Sequence, residues 1–200
     1  MTSLETALRQ VHADLFEAHA ACALIGGLAV SARTEPRFTR DADLAVAVAN
    51  DLEAEKLIHE LQRRGYTIEA VLEQKAVGRL ATVRLTRTAD LQWPVTDLLF
   101  ASSGIEPEVV SAAEPLELVP ELTIAVATAG HLIALKVLSR DDVSRPQDVT
   151  DIRALLRVAS AAELARAHEA VALITARGYN RGRDLPLELN KVLDPTFGRG

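Results

Sequence analysis

The sequence predicts an α+β fold, with short strands and helices mixed through residues 1–127 and a helical part over residues 128–200 packed on them. Three observations predict it. The stretch 24–48 runs from apolar Leu24-Ile25 through Gly26-Gly27 into a short helical pattern and returns as Leu44-Ala45-Val46-Ala47-Val48. Residues 80–85 and 91–97 alternate apolar and polar side chains, the period of a strand with one buried face. After Thr128, apolar residues recur at three- and four-residue spacing, the stripe of a helix.

Each element has its own signature. Thr2-x-x-Glu5 is a capping box, and Leu4, Leu8, Val11, Leu15 and Cys22 follow on one stripe, so the first helix is expected to run to about His19, with Cys22 on its apolar face and His12 and His19 on its surface. Residues 23–25 form the first strand, 28–33 a short helix, and 44–48 the second strand, after a link ending at Pro36. Asn50-x-x-Glu53 caps a helix whose buried stripe is Ala54, Leu57, Ile58 and Leu61, and Gly65 stops it. Residues 66–69 read as a third strand and 73–79 as a turn. Pro94 lies inside the alternating run 91–97, where it removes a ladder donor and argues for a sheet edge or a bulge. Residues 102–122 read as loop with one short helix or strand, 123–126 as a last strand, and Thr128 as the cap of a helix containing Leu132, Leu135, Lys136 and Ser139. Pro146 suits a helix start, and Ser160-x-x-Glu163 opens a long helix with Leu164, Ala167, Val171 and Ile174 inward and Gly178 as its stop.

Composition narrows the classes of function. The chain has 200 residues, 48% of them hydrophobic, and a net charge of −6, so it suits a single domain or a core with a helical appendage. Cys22 is the single cysteine, which rules out an intrachain disulfide and a cysteine-based zinc site. The polar, acidic start carries no apolar signal stretch, and no charge-free apolar run reaches membrane-spanning length. The expectation is a soluble cytoplasmic protein with no membrane partner. The acidic total conceals local basic clusters: Arg33, Arg37 and Arg40, then Lys75, Arg79, Arg84 and Arg87, then the segment from Arg177 through Arg181 and Arg183 to Lys191.

The chemistry concentrates between Leu24 and Asp43. Thirteen residues separate Gly27 from Asp41, and Asp41-x-Asp43 runs directly into the second strand. Side chains at i and i+2 of a strand share a face, so both carboxylates point one way and call for a cation between them. A hard divalent ion such as Mg2+ fits, because it takes oxygen ligands and leaves room for phosphate oxygens. The glycine pair at a helix start exposes backbone N–H groups where anions are welcome.

The string Gly26-Gly27, short helix, Asp41-x-Asp43 resembles the polymerase-β-type nucleotidyltransferase superfamily. The fuller Arg37-x-Thr39-x-Asp41-x-Asp43 is similar to its AbiEii/MenT toxin-like branch, with the resemblance covering roughly residues 20–157. The resemblance implies a mixed β-sheet nucleotidyltransferase core flanked by helices. It implies a third carboxylate on a later strand, matched by Asp97, with Asp90 as its competitor. Gly26, Gly27 and Arg37 are the expected triphosphate contacts; Thr39, two residues before Asp41, either touches phosphate or caps the strand; and Lys136, amid apolar neighbours, either snorkels to solvent or, as the resemblance implies, contacts phosphate, while Asp148 is balanced between positioning base or ribose and favouring a helix dipole. The family's Lys-Asp-x-x-Asp is incomplete, since Gln147 stands where the lysine is expected.

The implied reaction is transfer of a nucleoside monophosphate from a nucleoside triphosphate, with Mg2+ or Mn2+ held by Asp41, Asp43 and Asp97. The acceptor reads as a macromolecule, the 3′ end of an RNA such as tRNA or a protein hydroxyl, and the protein as the toxin of a toxin–antitoxin pair with a cognate antitoxin as partner. The competing readings are an antibiotic-modifying nucleotidyltransferase, a degenerate nucleotide- or RNA-binding fold, and an antitoxin-like interaction protein.

Overall fold

The computed structural model describes residues 3–36, 39, 41–87, 94–141 and 146–194. Among them are seven strands in one sheet and eight helices. In chain order these are α1 (Ser3–Glu17), β1 (Cys22–Ile25), α2 (Gly26–Arg33), β2 (Ala42–Val46), α3 (Asp51–Arg63), β3 (Tyr66–Gln74), β4 (Arg79–Arg87) and β5 (Thr96–Leu99). There follow α4 (Glu106–Ser111), β6 (Glu114–Val119), β7 (Leu122–Val126), α5 (Ala129–Ser139), α6 (Gln147–Val158), α7 (Ala161–Ala176) and α8 (Leu185–Leu193).

The sheet order is β3-β4-β5-β2-β1-β7-β6. Strands β1 and β2 are antiparallel, β2 runs parallel to β5, and β1 runs parallel to β7, so the sheet is mixed as the α+β expectation requires. The central strands β1 and β2 are the most apolar: Ala23, Leu24, Ala42, Leu44 and Val46 are fully buried. Helices α2 and α4 pack on β2, and α3 packs on β3 and β4.

Helix α5 is apolar almost all round, and such a helix is stable only when enclosed. It is enclosed by α2, α6, α7 and α8. Thr128 caps it by accepting from the His131 N–H, Asn50 caps α3 by accepting from the Glu53 N–H, and Ser160 caps α7 through the Glu163 N–H. All three caps were legible as residue patterns. Thr2, by contrast, lies outside the described residues.

Several expectations are corrected. The first helix ends at Glu17, and His19 takes a left-handed φ of 55° that no helix continues through. Cys22 therefore opens β1 instead of sitting on a helix face, and burial pushes its thiol up to about 11. The second strand stops at Val46, while β3 extends to Gln74, making a long hairpin with β4. Pro94 precedes β5, which starts at Thr96 and lies between β4 and β2, so this strand is central and not an edge. Leu91 and Trp93 lie outside the described residues. Residues 102–122 hold both a helix, α4, and a strand, β6. The basic segment after Gly178 contains α8, whose Leu185, Leu189 and Val192 are buried. Among the described residues no helix is long and apolar enough to cross a membrane.

Candidate active site

Strand β1 hands the chain to α2 at Gly26, with a left-handed φ of 65°. A Cβ built there would stand 1.9 Å from Asp43 Oδ2 and 2.6 Å from Asp43 Cγ. Glycine is thus required twice over, by its conformation and by the carboxylate pressed against its Cα. The close approach follows from register: Ile25 of β1 is the direct partner of Asp43 of β2. Among the described residues no side chain caps the start of α2 at Ile25, so the positive end of the helix is left to the Asp43 carboxylate beside it. Gly27 is buried in the first turn and its carbonyl accepts from Ser31 Oγ at 3.1 Å.

The same register continues across the sheet. Asp43 of β2 is paired with Asp97 of the parallel strand β5, and Asp97 is paired with Arg84 of β4. Directly opposed residues project from the same face, so Asp43, Asp97 and Arg84 form one transverse row. Asp97 is buried, at 9% exposure, and Arg84 forks onto it: Nε donates to Oδ1 at 2.9 Å and Nη2 to Oδ2 at 2.7 Å. Arg84 is held further above its ordinary range, first by that hydrogen bond, with the charges of Asp97, Asp41 and Glu69 adding to it against desolvation. Asp41 is exposed immediately before β2, and its charge reaches the same guanidinium. Thr39 is half-buried ahead of it, and Arg37 and Asp90 lie outside the described residues. Among the described residues no three His, Cys, Asp or Glu side chains are gathered as a metal cluster. The donor chemistry nevertheless suits a hard ion: the row offers carboxylate oxygens only, and the cationic position on Asp97 is taken by Arg84.

Lys136 and Asp148 meet each other. Lys136 Nζ lies 2.7 Å from Asp148 Oδ1 and 2.8 Å from Asp151 Oδ2, with all three side chains largely out of solvent. Ser139 Oγ donates to Asp148 Oδ2 at 3.2 Å and Gln147 Nε2 to Asp151 Oδ1 at 3.2 Å. Asp148 and Asp151 sit three apart on α6, so the lysine of α5 joins the two helices. Its ammonium neither snorkels to open solvent nor stands bare for a phosphate. Both helices pack on α2, the helix that begins at Gly26.

The sequence matches the AbiEii family, described as nucleotidyl transferase AbiEii toxin of a type IV toxin–antitoxin system, over residues 7–197. The chain belongs to that family. As an AbiEii-family member it is a nucleotidyltransferase, the activity the resemblance implies. Solved structures share its fold. The antibiotic-resistance factor ANT(2'')-Ia is 16% identical, with a TM-score of 0.55 over 86% of this chain and 91% of that one. The nucleotidyltransferase-like antigen of Paracoccidioides brasiliensis is 17% identical, with a TM-score of 0.54 over 94% and 92%. The lincosamide adenylyltransferase LnuA, solved with lincomycin, is 14% identical, with a TM-score of 0.51 over 78% and 98%. No curated protein matches the chain significantly.

Among the described residues of this AbiEii-family chain, several arginines of the basic clusters have partners within the molecule. Arg33 donates to the carbonyls of Val126 and Ala127 and pairs with Glu114 at 2.6 Å. Arg79 pairs with Asp51 at 2.6 Å, and Arg87 donates to the Arg64 carbonyl while its guanidinium lies over the Tyr66 ring. Arg177 pairs with Glu108 at 2.6 Å, and Arg183 pairs with Glu188 and donates to the Leu138 carbonyl at 2.8 Å. These arginines were grouped in the sequence as surface charge. The partnership of Arg84 with Asp97 was missed there, although Arg84 stands at a polar position of an alternating strand, which is where a cross-strand partner for a carboxylate is to be sought.

Proposed function

We propose that the protein transfers a nucleoside monophosphate to a macromolecular acceptor, the 3′ end of an RNA such as tRNA or a protein hydroxyl, and acts in the cytoplasm as the growth-inhibiting toxin of a toxin–antitoxin pair. The observation that carries the chemistry is the row Asp43–Asp97 beside the Gly26 turn, two carboxylates in register against an uncapped helix start. The family supports the toxin role and a cognate antitoxin.

In this reading residues 1–127 are the catalytic core and 128–200 a helical part packed on it. The acceptor hydroxyl attacks the α-phosphorus and gives its proton to water, a new P–O bond forms, and the bond to the departing pyrophosphate breaks. Asp41, Asp43 and Asp97 hold Mg2+ or Mn2+, which when bound neutralises the triphosphate and makes the acceptor oxygen a better nucleophile. Gly26 and Gly27 let backbone amides approach the triphosphate, and Arg37 and Thr39 reach it from the link before β2. Lys136 and Asp148 enter as a pair, because any phosphate contact by the ammonium has to be shared with the carboxylates that already neutralise it.

A second reading, a small-molecule hydroxyl as acceptor, is favoured by one observation. Among the described residues, Arg33, Arg79 and Arg177, which would track RNA phosphates, are already paired within the chain. Incubation of the purified protein with each α-labelled triphosphate, against tRNA, total lysate and aminoglycosides, separates the acceptors. The expected result is label on RNA or protein, and growth arrest on expression that Asp41→Ala abolishes. Label confined to aminoglycosides overturns the macromolecular reading, and no transfer to any acceptor overturns both.

A further inference from the structure

We infer that Arg84 is a cationic latch on Asp97: its guanidinium holds both carboxylate oxygens and has to withdraw before Asp97 ligates a divalent ion. The inference rests on the proposed assignment of Asp41, Asp43 and Asp97 to that ion.

The geometry argues for competition. The fork from Nε and Nη2 engages Oδ1 and Oδ2 together, so the side of Asp97 met by the guanidinium is fully used. A divalent ion bound between Asp43 and Asp97 sets a second cation beside the first, and like charges at that spacing repel. Proton loss cannot open the latch, because a guanidinium stays charged in proteins. Release therefore has to be a movement.

The surroundings provide one. The Asp97 side chain is fixed, at 13% exposure, while that of Arg84 is 45% exposed and free to swing outward. Glu69 is the place for it to go. The β3–β4 ladder slips between Ile68 and Ala70, with Ile68 opposite Leu85 and Ala70 opposite Arg84, so Glu69 is the extra residue of a bulge next to Arg84. Bulges re-aim side chains, and the exposed Glu69 contributes its charge to the Arg84 guanidinium. Ion binding moves Arg84 from Asp97 toward Glu69, and the ion-free site keeps its paired carboxylates neutralised.

The test is Mn2+ titration by calorimetry, without nucleotide, of wild type, Arg84→Gln, Arg84→Lys, Glu69→Gln and Asp43→Asn. Removing the competing fork is expected to tighten Mn2+ binding by about fivefold in Arg84→Gln, the effect of one well-placed but partly exposed ion pair. Arg84→Lys, which keeps the charge but not the fork, falls between it and wild type. Glu69→Gln weakens Mn2+ binding about two- to threefold by removing the resting place, a readout that a strut role for Arg84 does not move. Ion-induced increments in melting temperature, compared within each variant, follow the same order even where loss of the ion pair lowers the starting stability. If Arg84→Gln fails to fold, Arg84→Lys and Glu69→Gln decide. Unchanged or weaker Mn2+ affinity in folded Arg84 variants overturns the latch and leaves the metal assignment standing. Affinity that survives Asp43→Asn, or no binding in any protein, overturns the metal assignment and the latch with it.

Discussion

At the scale of single residues, Gly26 and Asp43 hold the site together and His131 responds to pH. Gly26 has a left-handed φ and a carboxylate within contact of its missing Cβ. Gly26→Ala is expected to cost about 1–3 kcal/mol in backbone strain alone, read by chemical denaturation. It also displaces Asp43, and a misplacement of this kind lowers transfer by about 100-fold. Full activity in the variant would show that Asp43 does not need its present place. His131 is a pH-sensitive group. It is buried at the start of α5 beside Thr128 Oγ1, 3.2 Å from its Nδ1, and desolvation with the charge of Arg166 lowers its pKa to about 4, against smaller opposing effects of Glu163 and Glu108. The folded state thus binds the proton less readily than the unfolded chain. This contribution is intact above the unfolded value near 6.5, falls as pH drops toward 4, and is constant below that. At pH 5 the loss attributable to His131 is about 2 kcal/mol. His131→Asn is expected to flatten the stability profile between those two values, measured by denaturant midpoints.

At the scale of elements, the join of α5 to α6 is electrostatic inside an apolar setting. Lys136 lies on a helix enclosed by others and is neutralised by Asp148 and Asp151, both fully or nearly fully buried. Removing one member of a buried pair leaves uncompensated charge and costs about 3–5 kcal/mol. Lys136→Ala is therefore expected to melt far below wild type, and loss of nucleotide binding in that variant would report on folding as much as on contact. The combined Lys136→Met, Asp148→Asn, Asp151→Asn change should restore most of the stability. A melting temperature of Lys136→Ala equal to wild type would show that the triad does not bear on the packing. The element also marks a limit of sequence reading. A lysine among Ala134, Leu135, Val137 and Leu138 was visible, as were two aspartates on one helix face, but their meeting depends on how α5 and α6 pack, which no local pattern encodes. The caps at Asn50, Thr128 and Ser160 were legible because their partners lie three residues away.

At the scale of the whole molecule, the order of the sheet decides what is close. Asp97 was reached from the sequence by family pattern. Its register with Asp43 arises because β5 inserts between β4 and β2, and Pro94, which argued for an edge, merely precedes that strand. The end of the chain was the least legible part. From Arg177 to Lys191 the charges are conspicuous, and the apolar spacing of Leu185, Leu189 and Val192 is short enough to be overlooked. Those side chains are buried against α5 and α7, and Arg183 ties the preceding turn to the Leu138 carbonyl at the end of α5. Helix α8 is thus part of the wall around α5. Burying three such side chains contributes about 2 kcal/mol each, a sum that is a large share of the ~5–15 kcal/mol by which a domain is stable. Truncation after Gly182 is expected to expose α5 and abolish a cooperative thermal transition. Replacing only Asn190 and Lys191, at exposed positions of the same segment, should leave the transition within about 0.5 kcal/mol of wild type. A truncated chain that melts cooperatively at the wild-type temperature would return the segment to the status of a tail. A truncated chain that loses its transition while the surface variants keep theirs would make it structure first, with any contact to an acceptor or antitoxin made from the outer face of a helix the core already requires.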